Sequence, residues 1–147
     1  MDAGSVAEAV AAVMWSDDYA CQALNMKLLK VADGVAEMEM LVQPSMINGH
    51  DVCHGGYLFT LADSAFAYAC NSRNRVTVAS GARIDFIRPA KLGDRLLARA
   101  QLLHQGKRSG VYDVTVSNQA GEQVAQFRGN SSIIGGEITT LEAGRKD

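Results

Sequence analysis

From His54 to Cys70 the chain is apolar almost without interruption, and its one carboxylate is Asp63. The run contains no proline, and its two glycines, Gly55 and Gly56, stand at its start. Its length suits a helix. Its apolar residues surround the helix axis rather than forming one stripe, and a helix of that kind is expected to be buried. A buried carboxylate is costly unless it is paired or put to use. No Lys or Arg in the run can pair with Asp63. Whatever fold forms must therefore enclose this helix and account for Asp63.

The segments on either side read as strands and turns. Met26 to Val31 predicts a strand, Asp33-Gly34 a tight turn, and Val35 to Val42 the returning strand. In that strand Ala36, Met38, Met40 and Val42 face one way, with Glu37 and Glu39 on the other side. Pro44 to Cys53 reads as a loop. Beyond the helix, four strands are expected over Val76 to Arg88, Leu96 to His104, Val111 to Ser117 and Gln123 to Ile134. Pro89, Gly93-Asp94 and Gly121 mark their breaks. Residues 4–15 predict a short N-terminal helix within 1–18, Asp17-Asp18 a further helical turn, and 136–147 a loose polar tail. Strands segregated around one long helix imply an α+β fold, an antiparallel sheet wrapped on that helix.

With 147 residues, the chain suits a single domain with one core. The apolar share of 48% and charged share of 20% are those of globular proteins. The net charge is −2 with no basic block, which disfavours nucleic acid as the main partner. Residues 5–14 are apolar but include Glu8, lack a basic leader and are too short to span a bilayer. Cys21, Cys53 and Cys70 are odd in number and widely spaced, which favours reduced thiols and a cytoplasmic location. His50, Cys53 and His54 tempt a metal reading but lack a fourth ligand, so neither metal nor cofactor is expected.

The helix start supplies a second chemical element. Free N–H groups and the positive dipole end favour an oxyanion or a polarised carbonyl there. Asn48, in the preceding loop, adds a neutral hydrogen-bonding group. A donor site plus a carboxylate can direct water at an acyl group. Yet Gly55 and Asp63 are eight residues apart, roughly 12 Å at helical rise. One carbonyl needs contacts of about 3 Å, so the two residues are expected to meet across a two-fold dimer.

The run from Asn48 to Ser72, with His54-Gly55-Gly56 and an acid nine residues after the histidine, resembles the hotdog-fold acyl-CoA thioesterases of phenylacetic acid degradation. The stretch from Ile84 to Ala90 and the Gly93-Asp94 turn resemble the same group. The resemblance covers residues 20–134. It implies a hotdog fold and thioester hydrolysis, with Asp63 as general base or nucleophile. Gly55 N–H would then hold the carbonyl, and Asn48 would hold the water or the acid. It also implies dimers with sites at the subunit seam, commonly paired into homotetramers, and acyl-CoA as the small-molecule partner.

Further candidates follow from the same resemblance. Ser80, Gly81 and Arg83 would line the pantetheine arm. Arg88, Lys91 or the Lys107-Arg108-Ser109 turn would take nucleotide phosphates. His54 and Ser64 are polar candidates beside the reacting groups, although His54 also suits a locally bonded helix-start role. Phe59, Phe66 and Tyr68 are candidate acyl-pocket walls that core packing would equally explain. Two rival readings use the same residues: an enoyl-CoA hydratase or dehydratase pairing His54 with Asp63, and a non-catalytic acyl-CoA binding module.

Overall fold

A computed structural model describes residues 1–141 and shows one antiparallel sheet of six strands packed against a long helix. The N-terminal helix α1 (Ala3–Ser16) is capped by Asp2, whose side chain accepts from Ser5 N–H. A short helix α2 (Tyr19–Ala23) follows, capped in the same way by Asp18. The hairpin β1 (Lys27–Ala32) and β2 (Val35–Leu41) falls where alternation placed it. Ala36, Met38, Met40 and Val42 are all buried, so the alternating residues do face the core. The loop after β2 contains one 3-10 turn at Pro44–Met46.

The long helix α3 (Gly55–Cys70) matches the apolar run. It is followed by β3 (Thr77–Phe86), β4 (Arg95–Gln105), β5 (Ser109–Ser117) and β6 (Gln123–Ile133). The sheet order is β1-β2-β4-β5-β6-β3, so the chain crosses from β2 by way of α3 to the far edge and returns to the middle. α3 lies mainly across β2, β4 and β5. It approaches the sheet closely because β6 carries Gly129, where a Cβ would stand 2.8 Å from the Phe66 ring. Phe66 packs edge-on against Tyr112 and tilted against Phe127, at ring separations of 5.5 and 5.8 Å.

α3 runs antiparallel to β3. Gly55 meets Phe86 at one end of the strand, Phe66 meets Gly129 beside Ala82, and Asn71 bonds Thr77 at the other end. β3 is an edge strand with no partner on its outer side among the described residues. The helix is less enclosed than its composition predicts. Eight of its sixteen residues are buried, but Gly56, Thr60, Asp63 and Ala67 form a stripe that the chain's own sheet leaves partly open. The apolar girth comes from small buried alanines, Ala62, Ala65 and Ala69, as much as from large core residues.

The outer sheet face is polar. It carries Arg99–Glu37 at 2.9 Å, Arg128–Asp113 at 2.7 Å, Arg83–Asp85 at 3.2 Å and the Arg95–Glu39 pair. Of the expected loose tail, residues 136–139 are held: Asn74 bonds Glu137, Ile138 and Thr139, and Gly136 O accepts from Val76 N–H. Residues 142–147 of that tail lie outside the described residues. No described helix is long and apolar enough to cross a membrane.

Candidate active site

The loop before α3 is pinned before the helix begins. Cys53 N–H donates to Ala90 O at 2.7 Å and His54 N–H to Met46 O at 2.8 Å. His54 then caps the helix, its ring Nδ1 accepting from Gly56 N–H at 2.8 Å. That bond fixes Nδ1 as the unprotonated nitrogen, which leaves only Nε2 facing outward. The locally bonded role is therefore the one His54 occupies. Gly55, the first residue of the helix, has no intrahelical acceptor for its N–H, and no other described residue accepts from it.

Asn48 is half-buried in the same loop. Its Oδ1 accepts from His50 N–H at 2.9 Å and Val52 N–H at 3.3 Å, an Asx turn. With the oxygen so committed, the Nδ2 amide is the free end, and it has no acceptor among the described residues. Asn48 thus presents a donor beside the helix start.

Asp63 stands on the open stripe of α3. It is half-buried, not fully enclosed as the sequence implies, and makes no hydrogen bond or ion pair among the described residues. Burial raises its carboxyl pKa, because desolvation disfavours the charged form and no cation offsets it. The same burial pushes the thiol of Cys70 up to about 12, with the Asp63 charge adding to the effect. Ser64, next to Asp63, is engaged elsewhere: its hydroxyl donates to Thr60 O at 2.7 Å and accepts from Cys21 Sγ at 3.2 Å.

The remaining sequence candidates separate. Phe66 and Tyr68 are core residues, each 1% exposed. Phe59 packs edge-on against Phe127 at 5.4 Å. Gly81 and Arg83 lie in register with Asn130 and Arg128 on the outer sheet face, away from α3, and Ser80 sits in a bulge with its hydroxyl on Asn130 O. Strand alternation beyond the bulge puts Ala82 and Ile84, not Arg83, on the helix side.

Arg88 and Lys91 share a hollow of about 400 Å³ with Asp94 and Glu122, near the Phe86 end of β3. The Arg88 guanidinium donates there to Gln123 O at 3.1 Å. Arg108 faces Arg75 in a second hollow of about 390 Å³ at the opposite, Thr77 end, where the Lys107 turn leads into Ser109. The two basic candidates are thus separated by the length of β3, about 30 Å. The residue missed by sequence reasoning is Phe86, whose ring lies directly on Gly55. No signal in the sequence marks that contact, which spans 31 positions.

A cleft of about 680 Å³ between α1 and β1, lined by Ala11, Trp15, Met26 and Leu28 among others, contains none of these residues. Among the described residues, no three His, Cys, Asp or Glu side chains converge as a metal site. The chemistry among the described residues is therefore a carboxylate without a partner and, about 12 Å along the same helix, a free backbone donor.

Residues 50–125 match the family described as the thioesterase superfamily. The chain is 51% identical over 126 residues to acyl-coenzyme A thioesterase PaaI of Escherichia coli K12, covering 86% of this chain and 90% of that relative. The structure of the E. coli PaaI protein from the phenylacetic acid degradation operon aligns with a TM-score of 0.92 at 48% identity, covering 94% of this chain and 100% of that one. A Streptococcus mutans UA159 protein bound to acetyl CoA aligns with a TM-score of 0.74 at 29% identity, covering 77% of this chain and 91% of its own. The antiparallel sheet with its long helix is the hotdog fold. The chain belongs to the thioesterase superfamily.

Proposed function

We propose that this chain hydrolyses acyl-CoA thioesters, with Asp63 activating water and Gly55 N–H polarising the carbonyl. The observation that carries this reading is the unpaired Asp63 carboxylate on the open stripe of a helix whose first N–H is also unpaired. The thioester oxygen takes the Gly55 N–H, and Asn48 Nδ2 holds the attacking water. Asp63 accepts a proton from that water as its oxygen bonds to the carbonyl carbon. The oxyanion develops against the Gly55 donor. Collapse breaks the carbon–sulfur bond, CoA leaves as the thiolate, and the proton held on Asp63 passes to it or to solvent as the free acid departs. A thiol ionises near pH 8.5, so the sulfur departs without a dedicated acid.

Desolvation raises the basicity of Asp63, which suits a base. The substrate class we favour is an aryl-acyl-CoA, such as a phenylacetyl or hydroxyphenylacetyl ester, in a cytoplasmic enzyme. Its support is the phenylacetic acid degradation operon of the E. coli relative. The acetyl CoA bound by the S. mutans protein supports CoA as the carrier.

We infer that the working unit is a dimer through β3, with dimers pairing into a tetramer. β3 is an open edge that presents Val78 and Phe86, and Ile87 follows it, all exposed. Antiparallel pairing of two β3 edges turns the Phe86 end of one subunit toward the Thr77 end of the other. Because α3 runs alongside β3, Gly55 is thereby carried toward the half of the partner's helix beyond its own start. The Arg88 and Lys107-Arg108 groups, far apart in one chain, converge by the same operation and would flank the nucleotide.

The hydratase reading needs a mobile proton on His54, whose Nδ1 is committed to the Gly56 cap. The test is release of free thiol from phenylacetyl-CoA by the wild type and by Asp63→Asn. Thiol release that persists in the variant overturns the assignment. Water addition to an enoyl ester without thiol release favours the hydratase.

A further inference from the structure

We propose that Phe86 is a positioning residue for this reaction: its ring packs on Gly55 and sets the helix start, and it is Phe86 that selects a glycine there. The proposal rests on the thioesterase reading above.

Three observations carry it. First, the backbone does not demand glycine. Gly55 lies outside the positive-φ residues and adopts the ordinary conformation of a helix start. Second, the space beside it is taken. A Cβ at Gly55 would stand 2.8, 3.0 and 3.3 Å from three carbons of the Phe86 ring. Third, the ring is placed by the sheet and not by the helix. Phe86 pairs with Ala125 on β6, two residues from Ile84, on the face turned toward α3. An edge strand thus delivers an aromatic wall to the residue whose N–H is free. A donor aimed at developing charge gains strength when its position is set before reaction.

A purely structural ring and a ligand-driven glycine make different predictions. Alanine retains its backbone N–H, so Gly55→Ala deletes no donor. If the ligand needs the space, the alanine variant stays impaired whatever stands at position 86. If Phe86 needs it, removing the ring relieves the impairment. If Phe86 only packs, its loss lowers melting temperature and leaves kcat alone.

The experiment measures thiol release from phenylacetyl-CoA, melting temperature and size-exclusion elution for the wild type, Phe86→Ala, Phe86→Leu, Gly55→Ala and the double variant. Displacing the donor by about 1 Å predicts a loss of roughly a hundredfold in kcat for Gly55→Ala. Phe86→Ala is expected to lose about tenfold in kcat with KM changed less, Phe86→Leu to recover part of it, and the double variant to exceed Gly55→Ala by about tenfold. Wild-type kcat in Phe86→Ala, or a double variant no faster than Gly55→Ala, overturns the proposal while leaving thioester hydrolysis intact. Should Phe86→Ala fail to assemble, Phe86→Leu decides by the same kcat comparison. A wild type that releases no thiol from any CoA ester overturns the thioesterase reading, and the role of Phe86 with it.

Discussion

Tyr68 donates its hydroxyl hydrogen to Asp18 Oδ2 at 2.9 Å, across 50 residues of chain. The other oxygen of Asp18 accepts from Cys21 N–H at 3.2 Å and caps α2. Three residues before Asp18, near the end of α1, Trp15 lies 6.4 Å from the Tyr68 ring. With the Cys21–Ser64 bond, this fastens the N-terminal helices to α3 just beyond Asp63.

Asp18 should therefore matter more to stability than an acid in a surface helix. Asp18→Ala removes the α2 cap and leaves the buried Tyr68 hydroxyl without an acceptor, a loss of about 2–3 kcal/mol. Tyr68→Phe removes donor and penalty together and should cost only about 1 kcal/mol. Urea unfolding of both variants checks the order. Equal losses would mean that the hydroxyl is rescued by water.

Asp63→Asn should separate activity from stability. Thiol release is expected to fall by about a thousandfold or more while CoA-ester binding persists. The stability effect has the opposite sign. Burial raises the folded-state pKa of Asp63 above its unfolded value of 3.8, so the folded state holds the proton more tightly. Stability contributed by the protonated carboxyl is present below the unfolded pKa and lost as pH rises through the folded one. At neutral pH the ionised group therefore weakens the fold, and Asp63→Asn should melt higher than the wild type. Activity needs the ionised form, so kcat/KM should fall as pH drops through the raised pKa. A variant that melts lower at pH 7 would show that Asp63 is compensated by a charge from another subunit.

The strands and α3 were legible because burial leaves a periodic trace: Met38 and Met40 against Glu37 and Glu39, or Val114 and Val116 against Asp113 and Thr115. Asp63 and Gly55 were legible because a charge in an apolar run and glycines at a helix start are local anomalies. α2 was legible only as a helical turn started at Asp17-Asp18, since its five residues carry no period and are held by Asp18 and by Ser64 from α3. The outward turn of Arg83 follows from a bulge between Ala79 and Gly81 that leaves no mark in composition. Phe86 read as an ordinary strand residue, because its contact with Gly55 exists only once β3 reaches the sheet edge.

Gly129→Ala should be costly to the fold, unlike Gly55→Ala. Its Cβ would meet three Phe66 ring carbons at 2.8 to 2.9 Å, and Phe66 is 1% exposed between Tyr112 and Phe127. That ring is enclosed in the core and has nowhere to go. Overpacking of this kind costs about 3 kcal/mol. Chemical denaturation should show the loss, and Phe66→Leu in the same chain should recover part of it. A Gly129→Ala protein as stable as the wild type would mean that α3 can lift from the sheet.

The composite site has a sharper test than loss of activity in any single variant. Asp63→Asn removes the base but leaves the Gly55 donor. Gly55→Pro removes that N–H at a helix position whose backbone suits proline, with its Cβ meeting the Phe86 ring as in Gly55→Ala. Each homodimer lacks one group in both of its sites. If the base and the donor come from different subunits, a mixed dimer has one site carrying both defects and one site carrying neither. Random reassortment of equal amounts makes half the dimers mixed, so about a quarter of wild-type activity should return. If base and donor come from the same chain, every site in the mixed dimer lacks one of them and no activity returns. The measurement is thiol release after the two inactive proteins are unfolded together and refolded, against each refolded alone. Recovery near a quarter assigns Gly55 and Asp63 to opposite subunits; none assigns them to one, and the helix would then have to bend or slide to close the roughly 12 Å between them.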